Sequence, residues 1–397
     1  MTSNINLRIL IILCIGVAVF MNNFPDTPSL AAGHSIAANP LTEKWSGPFG
    51  GVPPFDKVKV ADIKPALEAA MAENLAEYEA IASNKEPATF ENTIAAMERA
   101  GSMLDRVTTI YGIWSGNMST PEFQKIQSEM EPKMAAMSDK IRQNEALFKR
   151  IEAVYNSPEK AKLNAEQQRL VWVYYTNFVR SGARLGAEQK KRLAAINQEL
   201  AGLFTKFSQN LLGDEGELFL TIENEADLAG LPQDLRDSAA SAATAKKLPG
   251  KWVIRNTRSA VEPLLTYSEN RGLREKAWKM FVGRGDNADA RDNNAIITQI
   301  LQLRAERAKL LGYQTHAHWR LENTMAKTPE NAMNLMERVW PAAVARVKQE
   351  VADMQALAEK EVKGIKIEPW DYRYYMEKVR KAKYDLDQNE IKPYLQL

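Results

Sequence analysis

From Leu185 through Leu193, Ile196, Leu200, Leu203, Phe204, Phe207 and Leu211, apolar side chains recur every three or four residues with no proline among them. That spacing gathers one apolar face along a helix, whereas a strand would scatter the same side chains over both of its faces. A face this long must be covered by other helices, so the chain is committed to packed helices. Gly213 reads as the stop. Comparable ladders flank this one. Asp62 reads as the cap of a helix through Ile63, Leu67, Met71, Leu75, Tyr78 and Ile81. Thr89 reads as the cap of a single helix carrying Ile94, Met97, Leu104, Val107, Tyr111 and Trp114. Thr120-Pro121-Glu122 supplies an N-cap, a proline at the first helical position and an early acid, and Met130, Met134, Met137 and Ile141 follow. Asn164 opens a helix through Leu170, Tyr174 and Phe178.

The texture changes at Glu217–Ile222 (ELFLTI) and Lys251–Arg255 (KWVIR), which read as two short strands around an Ala-rich helix starting at Leu231-Pro232. Beyond them the pattern is helical again, through Trp278, Phe281, Ile296–Leu311 and Pro329–Lys363. The expected fold is therefore mainly α with minor strands. Three segments are expected: 1–38 as a signal peptide and processing region, 39–255 as a helical N-terminal domain, and 256–397 as a second domain.

Ile9–Met21 is an uninterrupted apolar run behind a short polar stretch whose charged side chain is Arg8. At about 1.5 Å per residue it covers roughly 20 Å, short of the ~30 Å hydrocarbon core. It reads as a signal-peptide core, with an uncleaved anchor as the alternative, and no stable membrane span is expected. Ser29-Leu30-Ala31 and Ser35-Ile36-Ala37 both suit cleavage, and the expected address is exported, periplasmic or outside. Cys14, the one cysteine, lies inside the run. Its removal would leave no thiol for disulfides, nucleophilic catalysis or thiolate metal sites. The net charge is +2 with acids and bases interspersed. That creates no field suited to nucleic acid, and the aromatic string Trp172, Tyr174, Tyr175 and Phe178 lacks the basic groove that would turn it into a base-stacking surface.

Catalytic chemistry is hard to place. A zinc peptidase of the HExxH kind needs two histidines four apart on one helix face, a glutamate beside the first and a third ligand downstream. No HExxH occurs in the 397 residues, and the histidines are His34, His316 and His318. His316 and His318 are two apart and diverge by about 200° on a helix. Glu322 shares a face with His318, which leaves a two-ligand site possible; a solvated or capping role is the simpler reading. Gly283-Arg284-Gly285-Asp286 lacks the spacing of a phosphate loop, there is no GxSxG elbow, and Glu215-Gly216-Glu217 singles out no catalytic pair. From the residues alone no catalytic, cofactor-binding or metal-ligating position is assigned.

Longer stretches carry a resemblance. NPLTEKWSGPFGGVPPFDKVKVADIKPALEAAM, TFENTIAAMERAG, LLTYSENRGLREKAWKMFVGRG, DNNAIITQILQLRAERAKLLGYQTHAHWRLENTMAKTPE and EPWDYRYYMEKVRKAKYDLDQNEIKPYLQL are similar, in order, to the thimet oligopeptidase and peptidyl-dipeptidase family of zinc metallopeptidases, in its bacterial branch. The resemblance implies an elongated, mainly α architecture with a channel between two halves, one zinc, and oligopeptide substrates. It also implies that HExxH and the later ligand glutamate lie beyond the text matching Leu397, so residues 256–397 would be the start of a catalytic domain that stops before the zinc helix. Trp370, Tyr372, Tyr374 and Tyr375 match a family segment and are expected to pack or line a channel. The expectation is an N-terminal part, inactive alone, with apolar faces left for absent helices. Its apolar ending, Pro393–Leu397, is read the same way. The alternatives are a non-catalytic exported peptide- or protein-binding module, and one half of a split peptidase completed by a complementary C-terminal fragment.

Overall fold

Side-chain caps decide where most helices begin. In the computed structural model, which describes residues 39–384 and Tyr394, Thr120 Oγ1 accepts from Phe123 N at 3.2 Å. Asn144, Asn164 and Thr328 accept in the same way from Leu147, Gln167 and Asn331. The signal-peptide segment and its cleavage sites lie outside the described residues, as does nearly all of the segment after residue 384.

The helices are α1 (Val60–Ala82), α2 (Ala96–Arg99), α3 (Ser102–Asn117), α4 (Pro121–Arg142), α5 (Glu145–Asn156), α6 (Ala165–Arg180) and α7 (Ala187–Glu217). After them come α8 (Gln233–Ala245), α9 (Arg258–Tyr267), α10 (Arg271–Val282), α11 (Asn294–Leu310), α12 (His316–Leu321), α13 (Pro329–Glu361) and α14 (Tyr372–Tyr384). Two strands, β1 (Phe219–Ile222) and β2 (Trp252–Arg255), pair antiparallel with Phe219 opposite Arg255 and Ile222 opposite Trp252. The fold is mainly α, as the periodicity predicts.

Three expectations are corrected. Asp62 is not the cap of α1 but its third residue, reaching back to accept from Lys59 N at 2.8 Å. The helix expected from Thr89 to Trp114 is broken after Arg99. There Gly101 takes φ +86, donates its N–H to Glu77 Oε2 at 2.7 Å, and lies so close to α1 that a Cβ would sit 2.9 Å from Asn74 Nδ2. A left-handed residue held by a buried contact ends the helix in spite of its continuing apolar ladder. Gly213 does not close α7, which runs on to Glu217 and so takes the first residue expected in the strand. Its lack of a side chain serves packing: a Cβ there would meet Arg291 Nε at 2.5 Å.

Burial follows the ladders. Ile63, Leu67, Val107, Ile110, Phe123 and Met130 join α1, α3 and α4, and Ile94, Leu147, Ile151 and Val171 form a second core with α5 and α6. The α7 ladder presents Ile196 and Leu200 to Ile296, Ile300 and Leu303 of α11. Ile222, Leu228, Ile254, Val261 and Leu264 close the region around the hairpin, while Met354 and Ala358 of α13 cover Tyr375 of α14. A polar knot fixes the turn after α10: fully buried Asp214 of α7 accepts from Gly285 N at 2.8 Å and Asn287 Nδ2 at 3.0 Å. Among the described residues no helix is long and apolar enough to cross a membrane.

Candidate functional site

Thr315 starts α12, accepting from His318 N at 3.3 Å, and its hydroxyl shares a 2.8 Å hydrogen bond with His318 Nδ1. The other ring nitrogen of His318 lies 3.8 Å from Glu330. Glu322 is committed elsewhere, accepting from Arg180 Nη1 and from Tyr313 Oη, so the His318–Glu322 pairing conceivable from spacing is not formed. His316 leans on Trp319 with ring centroids 5.4 Å apart. Burial first, then Arg307, Arg304 and Arg320, lowers its pKa to about 4. Three guanidinium groups around a half-buried imidazole would repel a metal dication as they repel a proton. Among the described residues no group of three or more His, Cys, Asp or Glu side chains is placed to hold a metal, so these residues do not fit the zinc that the resemblance implies. The glycine turn is equally occupied, because Asp214 holds the amide of Gly285 that an anion would need. Glu215 and Glu217 are bound into ion pairs with Arg284 and Arg291.

The geometry closest to a built site lies between α10 and α14. Asp371, fully buried, accepts from Arg274 Nη2 at 2.8 Å, from Arg271 Nη2 at 2.7 Å and from Glu368 N at 3.1 Å. Burial alone would raise its pKa, but the hydrogen bonds from Arg271, Arg274 and Glu368 outweigh that and hold it below the usual carboxylate value. Arg274 also donates to Ser268 O at 2.7 Å and stacks over Tyr374 at 4.1 Å. Tyr374 meets Tyr375 edge-on, and Trp370 meets Trp278 edge-on at 5.9 Å. Trp370, Tyr374 and Tyr375 thus act in packing, and Tyr372 joins the cluster around Met354.

Beside this hub an open cleft of about 770 Å³ runs between α9 and α14. Its charges are matched: Glu262 accepts from Arg373 at 2.7 Å and from Arg258 at 3.0 Å, and Glu377 from Arg380 at 2.6 Å. Carboxylates clamped in this way are poor general bases and good fixed charges, suited to orienting a polar chain and not to taking its proton. Further along, one face of α13 is left uncovered among the described residues. Met333, Met336, Trp340 and Val347 recur at helical spacing beside Leu335 and Val339, and Trp340 is 69% exposed.

Sequence reasoning passed over the Asp371 hub and also a second constellation, Asp139 on α4, Asn197 on α7 and Arg307 on α11, around a cavity that Trp319 helps to line. A signal was available. Arg307 continues the Ile300–Leu303 ladder at a spacing of four, so an arginine occupies a core-facing position where charge needs a reason.

Residues 264–397 match the family description "Peptidase family M3". The chain is 36% identical over 345 residues to a dipeptidyl carboxypeptidase of Escherichia coli, a match covering 87% of this chain and 51% of that protein. It is 34% identical to the dipeptidyl carboxypeptidase of Salmonella typhimurium, over 91% of this chain and 53% of the relative. It is 28% identical to the Salmonella typhimurium oligopeptidase A, over 90% and 52%. The chain spans about half the length of the curated relatives it matches. It belongs to the M3 family of metallopeptidases, the thimet oligopeptidase and peptidyl-dipeptidase group.

Proposed function

We propose that these residues are the N-terminal portion of an exported zinc peptidase that removes dipeptides from, or cuts within, short peptides, and that on their own they do not hydrolyse peptides. The similarity to dipeptidyl carboxypeptidases along nearly the whole chain carries this reading, together with the lack of an HExxH sequence in the 397 residues. In such an enzyme the zinc would polarise the scissile carbonyl and activate a water. The part of this chain would be positional. The ion-paired cleft between α9 and α14 would hold the peptide backbone, and the Asp371 hub would keep both walls fixed.

Incubating the purified chain with a blocked tetrapeptide, with and without added zinc, tests the proposal: no turnover is expected under either condition. One equivalent of tightly bound zinc together with chelator-sensitive cleavage would overturn it. Export is tested by N-terminal sequencing of the protein recovered from the periplasmic fraction, where a start between residues 32 and 38 is expected.

A second reading, a split enzyme, is favoured by the uncovered apolar face of α13. A separately supplied segment bearing HExxH would dock there. Co-expression should then yield a stable complex that cleaves the tetrapeptide, and recovery of both pieces unassociated would exclude it.

A further inference from the structure

A cavity of about 240 Å³ lies where α4, α6, α7, α11 and α12 meet. Its floor is apolar, with Leu193, Leu200 and Phe204 from α7 and Leu311 at the end of α11. Among the described residues its wall carries three arginines, Arg142, Arg180 and Arg307, against one aspartate, Asp139. Arg180 is matched, donating to Glu322 and to Trp319 O. Asp139 is enclosed, with 7% exposure, and its Oδ1 accepts from Asn197 Nδ2 at 2.8 Å. Arg142 and Arg307 feel Asp139 only through space, and neither forms an ion pair among the described residues.

The charge of Arg307 is poorly compensated. Its Nη1 donates to a neutral acceptor, Asn197 Oδ1, at 3.1 Å, and Trp319 packs over the guanidinium at 4.6 Å. Nε is enclosed without a partner, whereas Nη2, unpartnered among the described residues, keeps accessible surface. Burial first, then Arg304 and Arg320, lowers its pKa. A guanidinium stays protonated at neutral pH all the same, so the charge persists and an anion would relieve it. Arg142, one turn along α4 from Asp139, is exposed and free to turn onto the same ligand. Ser138 and Ser181 add hydroxyls that can donate. An inorganic anion would use these donors and leave Leu200, Phe204 and Leu311 facing water, whereas a carboxylate on a short apolar body uses wall and floor together. The volume falls below the roughly 300–1,000 Å³ of sites for drug-sized ligands, which keeps that body small.

We propose that this cavity binds a small amphipathic carboxylate, its charged end on the guanidinium groups of Arg142 and Arg307 and its apolar body over Leu200, Phe204 and Leu311. A free short-chain acid and the C-terminal residue of a peptide share this chemistry. The site is built from residues that this chain itself supplies and does not rest on the peptidase reading, so the two stand or fall separately.

Isothermal titration of the intact chain with hexanoate and with N-acetyl-L-leucine tests it. Saturable one-to-one binding of at least one of them is expected, and the tighter of the two identifies the source, a free acid or a peptide C-terminus. The matching amides, hexanamide and N-acetyl-L-leucinamide, keep the apolar body without the charge and should bind at least about tenfold more weakly. Acetate keeps the charge without the body and should also bind at least about tenfold more weakly. Arg142→Gln should weaken binding of the acid at least about threefold and leave that of the amide unchanged. Equal affinity for acid and amide would overturn the proposal. So would no heat from either acid, or inorganic phosphate binding as tightly as the better acid. The comparison of acid with amide uses the unaltered protein and remains decisive if Arg142→Gln fails to fold.

Discussion

Asp371→Asn should be among the most destabilising isosteric changes available in this chain. The substitution keeps shape but removes the charge that compensates two guanidinium groups. Arg274 is the critical partner, because its side chain is 2% exposed and cannot recover hydration in place, whereas that of Arg271 is 44% exposed and can turn outward. Stranding one buried charge costs about 3–5 kcal/mol, and the exposed partner adds at most ~1 kcal/mol. The amide can still accept one hydrogen bond, so the lower half of that range is expected, about 3 kcal/mol. Urea unfolding followed by tryptophan fluorescence measures it, since urea leaves ion pairs unscreened. The pH dependence provides a second check. The folded pKa of Asp371 lies below its ordinary value of 3.8. Its contribution is therefore fully present above about pH 4–5 and is lost as pH falls through the depressed folded value. The stability gap between the parent and Asp371→Asn should accordingly be constant near neutrality and shrink in acid. A loss below about 1 kcal/mol, or a gap unchanged down to pH 3, would refute the account of Asp371 as the charged hub joining α10 to α14.

Gly230→Ala should cost at least about 2 kcal/mol in the same assay: φ is +81 there, and a Cβ would come within 2.2 Å of the Tyr267 carbonyl oxygen. Thr120→Ala removes the cap of α4 and should cost about 1 kcal/mol, while Thr120→Ser should cost a few tenths. The imidazole signals of His316 should stay those of a neutral ring from pH 7.5 down to about 5, because its pKa is lowered to about 4. Below the unfolded value near 6.5 the unfolded chain binds a proton that the folded imidazole refuses, so stability falls as pH falls, and His316→Gln should narrow the stability lost between pH 6.5 and 4. Val339→Glu with Trp340→Glu should leave the urea midpoint within about 0.5 kcal/mol of the parent and reduce concentration-dependent association in sedimentation velocity.

Local rules carried most of the secondary structure. Thr120-Pro121-Glu122 announces α4 because cap, proline and acid act within one turn, and the hairpin segments announce themselves because β-branched and aromatic residues lie between breakers. The rules failed where a distant contact decided the outcome. Gly101 looks like a tolerable glycine inside a ladder until Glu77 and Asn74, more than twenty residues earlier, hold it left-handed. Gly213 looks like a stop until Arg291, far along the chain, is found to need the space. Asp371 gave no signal at all, since its arginine partners stand about a hundred residues away in ordinary charged text.

Arg307 and Trp340 mark the same boundary from opposite sides. Helical periodicity assigns a face, and the assumption that follows is that apolar faces are covered and charged ones solvated. Arg307 sits on the covered face of α11, its charge enclosed by Asn197, Trp319 and the cavity wall; Trp340 sits on an apolar stripe of α13 that nothing among the described residues covers. Each departure has a free-energy cost, a partly desolvated guanidinium in one case and hydrated indole surface in the other. Among the described residues Asn197 and Trp319 offset part of the first cost, and nothing covers the indole. What covers the second must come from outside the described residues, as an apolar surface. The two departures are therefore the places where function is best sought.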